Sequence, residues 1–395
     1  MSLYKLDNVI KHYAWGSKQS VTELFGITNP TNEPMAEIWM GAHPAGCSKV
    51  SETQCHISEV INADKLGLLG DYTTARYGEL PFLFKVLAAE TPLSIQVHPR
   101  KEKAEIGFAR ENQQGLPLDA PNRSYKDPNH KPELVYALTF YRAMNGFRPI
   151  AQIVSLFRQA GLYSLEPQLD LLESTPNSAG LKQFFTTIMS LDEMRKERVL
   201  TELYTSLNRP AKTAQLREAY HYIREFMQHY QDDIGLLSPL ILNTIELEPG
   251  EAMFLHAETP HAYVQGTGLE LMANSDNVLR AGLTTKFIDI PELIDNTAFI
   301  PVCADALKVS PVSKEDRQSF PIPVDDFSLD IITVDHVGKI QFIRSAEILF
   351  CIEGNVVISS GEQELALKTG DSILIGNNSH SYVYSGQGRL ARAYN

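Results

Sequence analysis

The stretch Tyr125-Lys-Asp-Pro-Asn-His-Lys-Pro-Glu133 concentrates a carboxylate, an imidazole, an ammonium and two prolines in nine residues without hydrophobic periodicity. Pro128 and Pro132 restrict the backbone, which is how a loop aims polar side chains. His130 and Lys131 have the chemistry for proton transfer, and Glu133 can ligate a cation. Two further imidazoles and an amide complete the reactive set. Gln96 and His98 stand at i, i+2 in Leu93-Ser-Ile-Gln-Val-His98, and His261 follows Pro260. Two neutral imidazoles, one carboxylate and one amide oxygen suit a borderline divalent metal, most naturally Zn²⁺. With one anionic ligand, such a site keeps positive charge for a substrate oxygen or water. His256 competes with His261 for this role.

These groups need elements that bring them together. Strict alternation from Leu93 to His98 predicts a strand with Leu93, Ile95 and Val97 on one face and Ser94, Gln96 and His98 on the other. The apolar run Phe82–Ala89 predicts a buried strand whose Lys85 either snorkels from a sheet edge or, the preferred reading, points into a cavity. Asn274 to Asn277 form a polar turn, followed by Arg280. That arginine either pairs with Asp276 on the surface or places a fixed charge beside the metal.

An internal comparison gives the architecture. Glu248-Pro-Gly-Glu, an apolar strand and then His261-Ala-Tyr-Val parallel Lys368-Thr-Gly-Asp, an apolar strand and then His380-Ser-Tyr-Val. In this numbering His256 falls opposite Gly376, which favours His261. The pattern resembles a cupin-type jelly roll, whose returning strand turns a histidine inward. The expected fold is mainly β, with two cupin-type jelly-roll barrels and an α-helical insertion domain. The insertion is read from 3.6-residue periodicity between 148 and 236. Ile153, Leu156 and Phe157 recur at this spacing, as do Leu181, Phe184, Phe185 and Ile188. Ser190-Leu-Asp-Glu193 predicts a capping box for a helix reaching Tyr204. Another helix is expected from about 216 to 230, with His221 and His229 too far apart around it to share a ligand. Residues 1–147 and 237–303 then form the catalytic domain. Residues 304–395 form a second cupin-like domain expected to hold no metal, because no partner histidine precedes His380.

Composition bounds the function. The 395 residues are 43% hydrophobic and 21% charged. No apolar run approaches the ~20 residues of a membrane helix, and the N-terminus lacks a secretory pattern. A net charge of −13 argues against nucleic acid or an anionic membrane as partner. Cys47, Cys55, Cys303 and Cys351 lack Cys-x-x-Cys spacing, so reduced thiols and a cytoplasmic location are expected. A monomer is expected.

Tyr125–Glu133 and His261–Lys286 together resemble the two signature segments of the type I mannose-6-phosphate isomerases. Tyr13-Ala-Trp-Gly and Ile95-Gln-Val-His-Pro match that family as well. One departure is Thr285, where the family usually has proline. The resemblance implies a Zn²⁺-dependent aldose–ketose isomerase interconverting mannose 6-phosphate and fructose 6-phosphate through a cis-enediol(ate). It implies Gln96, His98, Glu133 and His261 as ligands and Arg280 as an active-site arginine. His130, Lys131 or a water at the metal would move the proton. Ser94 and Lys85 are the favoured phosphate contacts, with Lys131 and Arg280 as competitors and Asp276 as a further substrate contact. An Fe²⁺-dependent cupin dioxygenase and a metal-free sugar-binding bicupin are the rival readings.

Overall fold

The computed structural model describes residues 2–395. The chain is mainly β, and its strands form two antiparallel sheet systems. In the first, the strand Phe82–Ala89 pairs with His261–Ala273 from Ala89↔Gly266 to Phe82↔Ala273. Glu133–Ala137 lies on the far side of His261–Ala273, and Glu37–Met40 lies beyond Phe82–Ala89. Near its start, His261–Ala273 shifts register between Tyr263 and Gln265 and pairs instead with Tyr141–Phe147 and with Gln96. One long strand thereby serves two surfaces, as bulged strands do. Gly266 makes the bend possible. Its φ is +122°, and a Cβ there would lie 2.6 Å from the Phe140 carbonyl oxygen.

Only Gln96–Val97 of the alternating segment is regular strand. Its two-sidedness holds only over residues 95–97, because Leu93 lines the cavity alongside Gln96 and Ser94 does not. Ile95 and Val97 are buried in an apolar core, whereas Gln96 lines a cavity.

The periodic region forms the helices Ile150–Ala160, Glu166–Ser174, Ser178–Met189, Glu193–Leu207 and Ala214–Phe226. The capping expectation is off by two residues. Asp192, not Ser190, caps Glu193–Leu207 by accepting the Arg195 N–H, and Ser190 closes the preceding helix. Asp192 is the residue with an extended backbone at that junction, which a capping side chain needs. The apolar helix faces do not make a separate core. Phe157, Phe184 and Ile223 pack in one cluster with Ile95, Val97, Phe147 and Val264 of the sheet.

In the second sheet system, Ser381–Tyr394 pairs along Glu347–Ser360 and Ser328–Asp335. The two systems exchange strands across the division expected near residue 303. Leu3–Asp7 pairs with Ser372–Ile375, and Lys308–Val309 pairs with Ala252–Leu255. A continuous core joins them, with Leu6, Phe84, Phe254 and Leu271 meeting Phe350, Leu374 and Ala391. The internal repeat is visible as Ala252–Leu255 leading to His261–Ala273 and Ser372–Ile375 leading to Ser381–Tyr394. The two histidines differ, because His261 is buried and His380 is exposed with a φ of 56°.

Candidate metal centre

Three chain segments converge on one point. Glu133 opens the strand Glu133–Ala137, His98 follows Gln96–Val97, and His261 opens His261–Ala273. His98 Nε2 lies 3.5 Å from Glu133 Oε1, and His261 Nε2 lies 3.4 Å from Glu133 Oε2. Ligand atoms of all three lie within 4.8 Å of one another. His256, the competitor, is exposed and packs on Phe254.

The outer contacts orient the rings. His98 Nδ1 lies 2.6 Å from the Asn277 carbonyl oxygen, and His261 Nδ1 lies 2.9 Å from the Thr259 carbonyl oxygen. A carbonyl only accepts, so each Nδ1 carries the proton and each Nε2 lone pair faces the centre. Burial, with Lys131 nearby, pushes the His98 imidazole down to about 4, so the ring stays neutral. Its Nε2 is buried and has no hydrogen-bond partner. An orphaned buried acceptor is costly, and a cation at the centre would satisfy it. Burial alone would raise the Glu133 carboxyl. The Lys131 ammonium 3.3 Å away instead holds it well below the usual carboxylate range. The single Tyr263 hydroxyl proton is shared between two carboxylates, Glu270 Oε1 at 2.7 Å and Glu133 Oε2 at 3.0 Å. An anion flanked by neutral nitrogens, with its outer contacts in place, fits one divalent metal ion.

Gln96 stands beside His261 through strand register. His261 pairs with Gln96, and Gln96 pairs with Arg280, so the three side chains project in one row from one face. A cavity of about 240 Å³ opens beside the row, lined by Gln96, Lys131, Glu133, His261, Asp276 and Lys286 among others. Trp15 and Trp39 supply part of its apolar wall.

Other expected site residues are distributed unevenly. Lys131 faces the cavity, but His130 turns the opposite way, with Nε2 2.9 Å from Asp326 Oδ1 in a separate surface cleft. Neighbours in extended backbone point to opposite sides. Lys85 does reach the cavity, yet its Nζ lies 2.9 Å from Glu270 Oε2 and 3.7 Å from Glu37 Oε1. Burial opposes its charge, and these carboxylates more than restore it. Ser94 lies 3.5 Å from the Gln96 amide and outside the cavity wall. Asp276 lines the cavity, with His43 rather than Arg280 as its ionic neighbour, at 3.5 Å. Arg280 is half-buried, and burial draws its guanidinium below the ordinary value. Among the described residues, no carboxylate lies within ion-pair reach of Arg280 or Lys286. Burial and the Arg280 charge lower the Lys286 ammonium.

Three features escaped the sequence reading. Tyr125 belongs to the interior rather than to a purely polar loop. It is 2% exposed, and its hydroxyl donates to Glu292 at 2.6 Å. Asn277 clamps the loop by donating to the Asp127 and Asn129 carbonyls at 2.8 Å each, and it accepts the Lys126 N–H at 2.6 Å. Asp127 heading an Asp-Pro-Asn turn was the available signal. Tyr263 was visible in the repeated His-x-Tyr, but its bond to Glu133 was not.

Fold and centre together define an antiparallel β-protein of the cupin class with a buried site able to hold one metal ion. Residues 3–150 match the family described as phosphomannose isomerase type I, catalytic domain, and residues 316–395 match the mannose-6-phosphate isomerase cupin domain. The chain is 49% identical to the mannose-6-phosphate isomerase of Salmonella typhimurium and 48% identical to that of Escherichia coli, over 100% of both chains in each case. A solved zinc-bound mannose 6-phosphate isomerase superposes with a TM-score of 0.93 at 49% identity, again covering 100% of both chains. The chain belongs to the type I mannose-6-phosphate isomerase family.

Proposed function

We propose that the chain is a zinc-dependent aldose–ketose isomerase interconverting D-mannose 6-phosphate and D-fructose 6-phosphate. The observation that carries this reading is the His98–Glu133–His261 cluster beside a cavity lined by Lys131 and Lys286, with Arg280 in register with Gln96 of its wall. Relatives named for this activity and a zinc-bound neighbour support it. A dioxygenase would give no reason for Arg280 and Lys286 to stay unpaired, whereas a phosphate dianion would.

Gln96, His98, Glu133 and His261 would hold the zinc. The bound ion supplies Lewis acidity toward the sugar's reacting oxygens. The chain's own groups do the rest. Lys131 moves the proton between C1 and C2 through a cis-enediol(ate). It faces the cavity, whereas His130 is engaged with Asp326 on the other side. Arg280 stands two strands from His261, about 10 Å at the usual strand spacing. That separation suits the phosphate end of an open-chain hexose held with its carbonyl end at the metal. Arg280 and Lys286 are therefore preferred over Ser94 and Lys85 for the phosphate, since Glu270 and Glu37 already neutralise Lys85. Asp276 and the aromatic wall contact the sugar.

Among the described residues, no helix is long and apolar enough to cross a membrane, and all four cysteines are free.

A coupled assay of mannose 6-phosphate isomerisation tests the proposal, run after chelation and again after zinc is restored. Activity should vanish and return. A zinc-loaded protein without isomerase activity overturns the reading. Arg280→Ala should keep its zinc and lose on the order of 100-fold in kcat/KM, the scale for an unpaired buried charge contact.

A further inference from the structure

Lys286 reaches the cavity from a loop that the helical block holds at one point. After the strand pair Leu279–Arg280, the chain continues along the 93–98 segment. Ala281 donates to the Ile95 carbonyl and Gly282 accepts the Ile95 N–H, at 2.9 and 3.0 Å. It then turns sharply, with Gly282 at a φ of +130° and Leu283 at +52°. Leu283 is fully buried beside Leu236 and Leu237. Beyond it, Thr284 is half-buried, and Thr285 and Lys286 are exposed.

Asp233, just ahead of the short turn Ile234–Leu237, spans this junction. Its Oδ1 accepts the Gly235 N–H at 2.7 Å, and its Oδ2 accepts the Thr284 N–H at 3.0 Å. Thr284 Oγ1 in turn accepts the Lys286 N–H at 3.1 Å. The two backbones are in close contact at this point. A Cβ on Gly282 would lie 2.7 Å from Gly235 Cα and 2.9 Å from Asp233 Oδ1. Among the described residues, Asp233 has no cationic partner, so its carboxylate serves these two N–H groups.

The electrostatics explain why such a clasp is needed. Burial first, and then the Arg280 charge, lower the Lys286 ammonium, so the two cations feel one another. Like charges on a free loop separate. Holding them together before an anion arrives requires a covalent or hydrogen-bonded restraint, and such preorganisation improves affinity by removing the ordering cost from the binding step.

We infer that Asp233 of the helical block is a positioning residue for the substrate's phosphate. Through Thr284 it fixes Lys286 beside Arg280. This rests on the reading that Arg280 and Lys286 receive the phosphate. The helical block thus acts as the jig for one end of the active-site cavity, and its other face lines a second cleft that includes Thr284, Thr285 and Asp233.

The test compares Asp233→Ala, Lys286→Ala and the double variant as zinc-loaded full chains. The readouts are kcat, KM for mannose 6-phosphate, the competitive inhibition constant of inorganic phosphate, and zinc content. Asp233→Ala should raise KM and the phosphate inhibition constant about tenfold, the scale of one hydrogen bond to a charged group. Its kcat should stay within about twofold of the parent and its zinc content should be unchanged. The double variant should be no worse than Lys286→Ala, because Asp233 acts through Lys286. Full additivity, or an unchanged KM in Asp233→Ala, overturns the clasp. Should Lys286→Ala leave KM and phosphate inhibition unaltered, the phosphate reading falls instead, whatever Asp233→Ala does. Thr284→Val keeps the side-chain shape and removes only the acceptor for the Lys286 N–H. It should reproduce the KM effect in a folded protein even if Asp233→Ala does not fold, and an unchanged KM there also overturns the clasp.

Discussion

Glu133 and Glu347 occupy equivalent places in the two sheet systems. Glu133 pairs with Leu255 and accepts the Tyr263 hydroxyl at 3.0 Å, while Glu347 pairs with Ile375 and accepts the Tyr382 hydroxyl at 3.1 Å. What differs is the neighbouring cross-strand pair. In the first sheet the cation is Lys85 and the anion Glu270, whereas in the second Asp330 faces Arg392. The exchange of sign lets Arg392 reach Glu347, with Nε 2.7 Å from Oε2 and Nη2 on Oε1. Arg392 engages both oxygens of Glu347, whereas Glu133 meets one ammonium, Lys131 at 3.3 Å, and faces two imidazoles with which it could share a metal ion.

That contrast predicts opposite outcomes for one substitution. Glu133→Gln should lose the metal and the isomerase activity with little change in fold. Glu347→Gln should keep both and lose stability, by about 3 kcal/mol as for a broken buried ion pair. Metal analysis, the coupled assay and denaturant unfolding separate the two.

Tyr263→Phe should weaken zinc binding about 10- to 100-fold, the usual cost of removing an outer contact to a ligand. The ring remains, so packing against Tyr141 is kept. Competition with a chromophoric chelator measures the change. An unaltered affinity would show that the hydroxyl bond does not tune Glu133.

Lys85→Met strands Glu270 and Glu37 in the interior. A fall in stability of about 3–5 kcal/mol is expected from the uncompensated buried carboxylates. The phosphate inhibition constant should move far less than in Arg280→Ala. A large rise in that constant at unchanged thermal midpoint would return Lys85 to the phosphate contacts.

Stripping the metal should lower the thermal midpoint. Binding at about 100 times Kd stabilises the folded state by about 2.7 kcal/mol, and that contribution disappears with the ion. Calorimetry before chelation, after it and after zinc is restored should show a reversible downward shift. Glu133→Gln should show none.

Much of the centre was legible because it is written in short-range spacing. The two-residue alternation of Leu93–His98 put Gln96 and His98 on one face. The proline-bearing loop announced Lys131 and Glu133, and the repeat ending in His-x-Tyr-Val selected His261 over His256. Helical periodicity located the block from Ile150 to Phe226, because a 3.6-residue pattern survives whatever the helix packs on. Local pattern was silent on which side consecutive loop residues would face, so His130 and Lys131 read alike until His130 met Asp326, 196 residues away.

The same limit applies to charge. By itself the sequence supplied the candidate ligand types, their order and the segments that carry them, since period and turn chemistry are local properties. Only the tertiary structure decided which charges are consumed and which stay available. Lys85 is neutralised by Glu270 across 185 residues, Arg392 satisfies Glu347, and Arg280 and Lys286 have no carboxylate within ion-pair reach among the described residues. Coulomb attraction depends on distance in space, and spacing along the chain does not encode that distance.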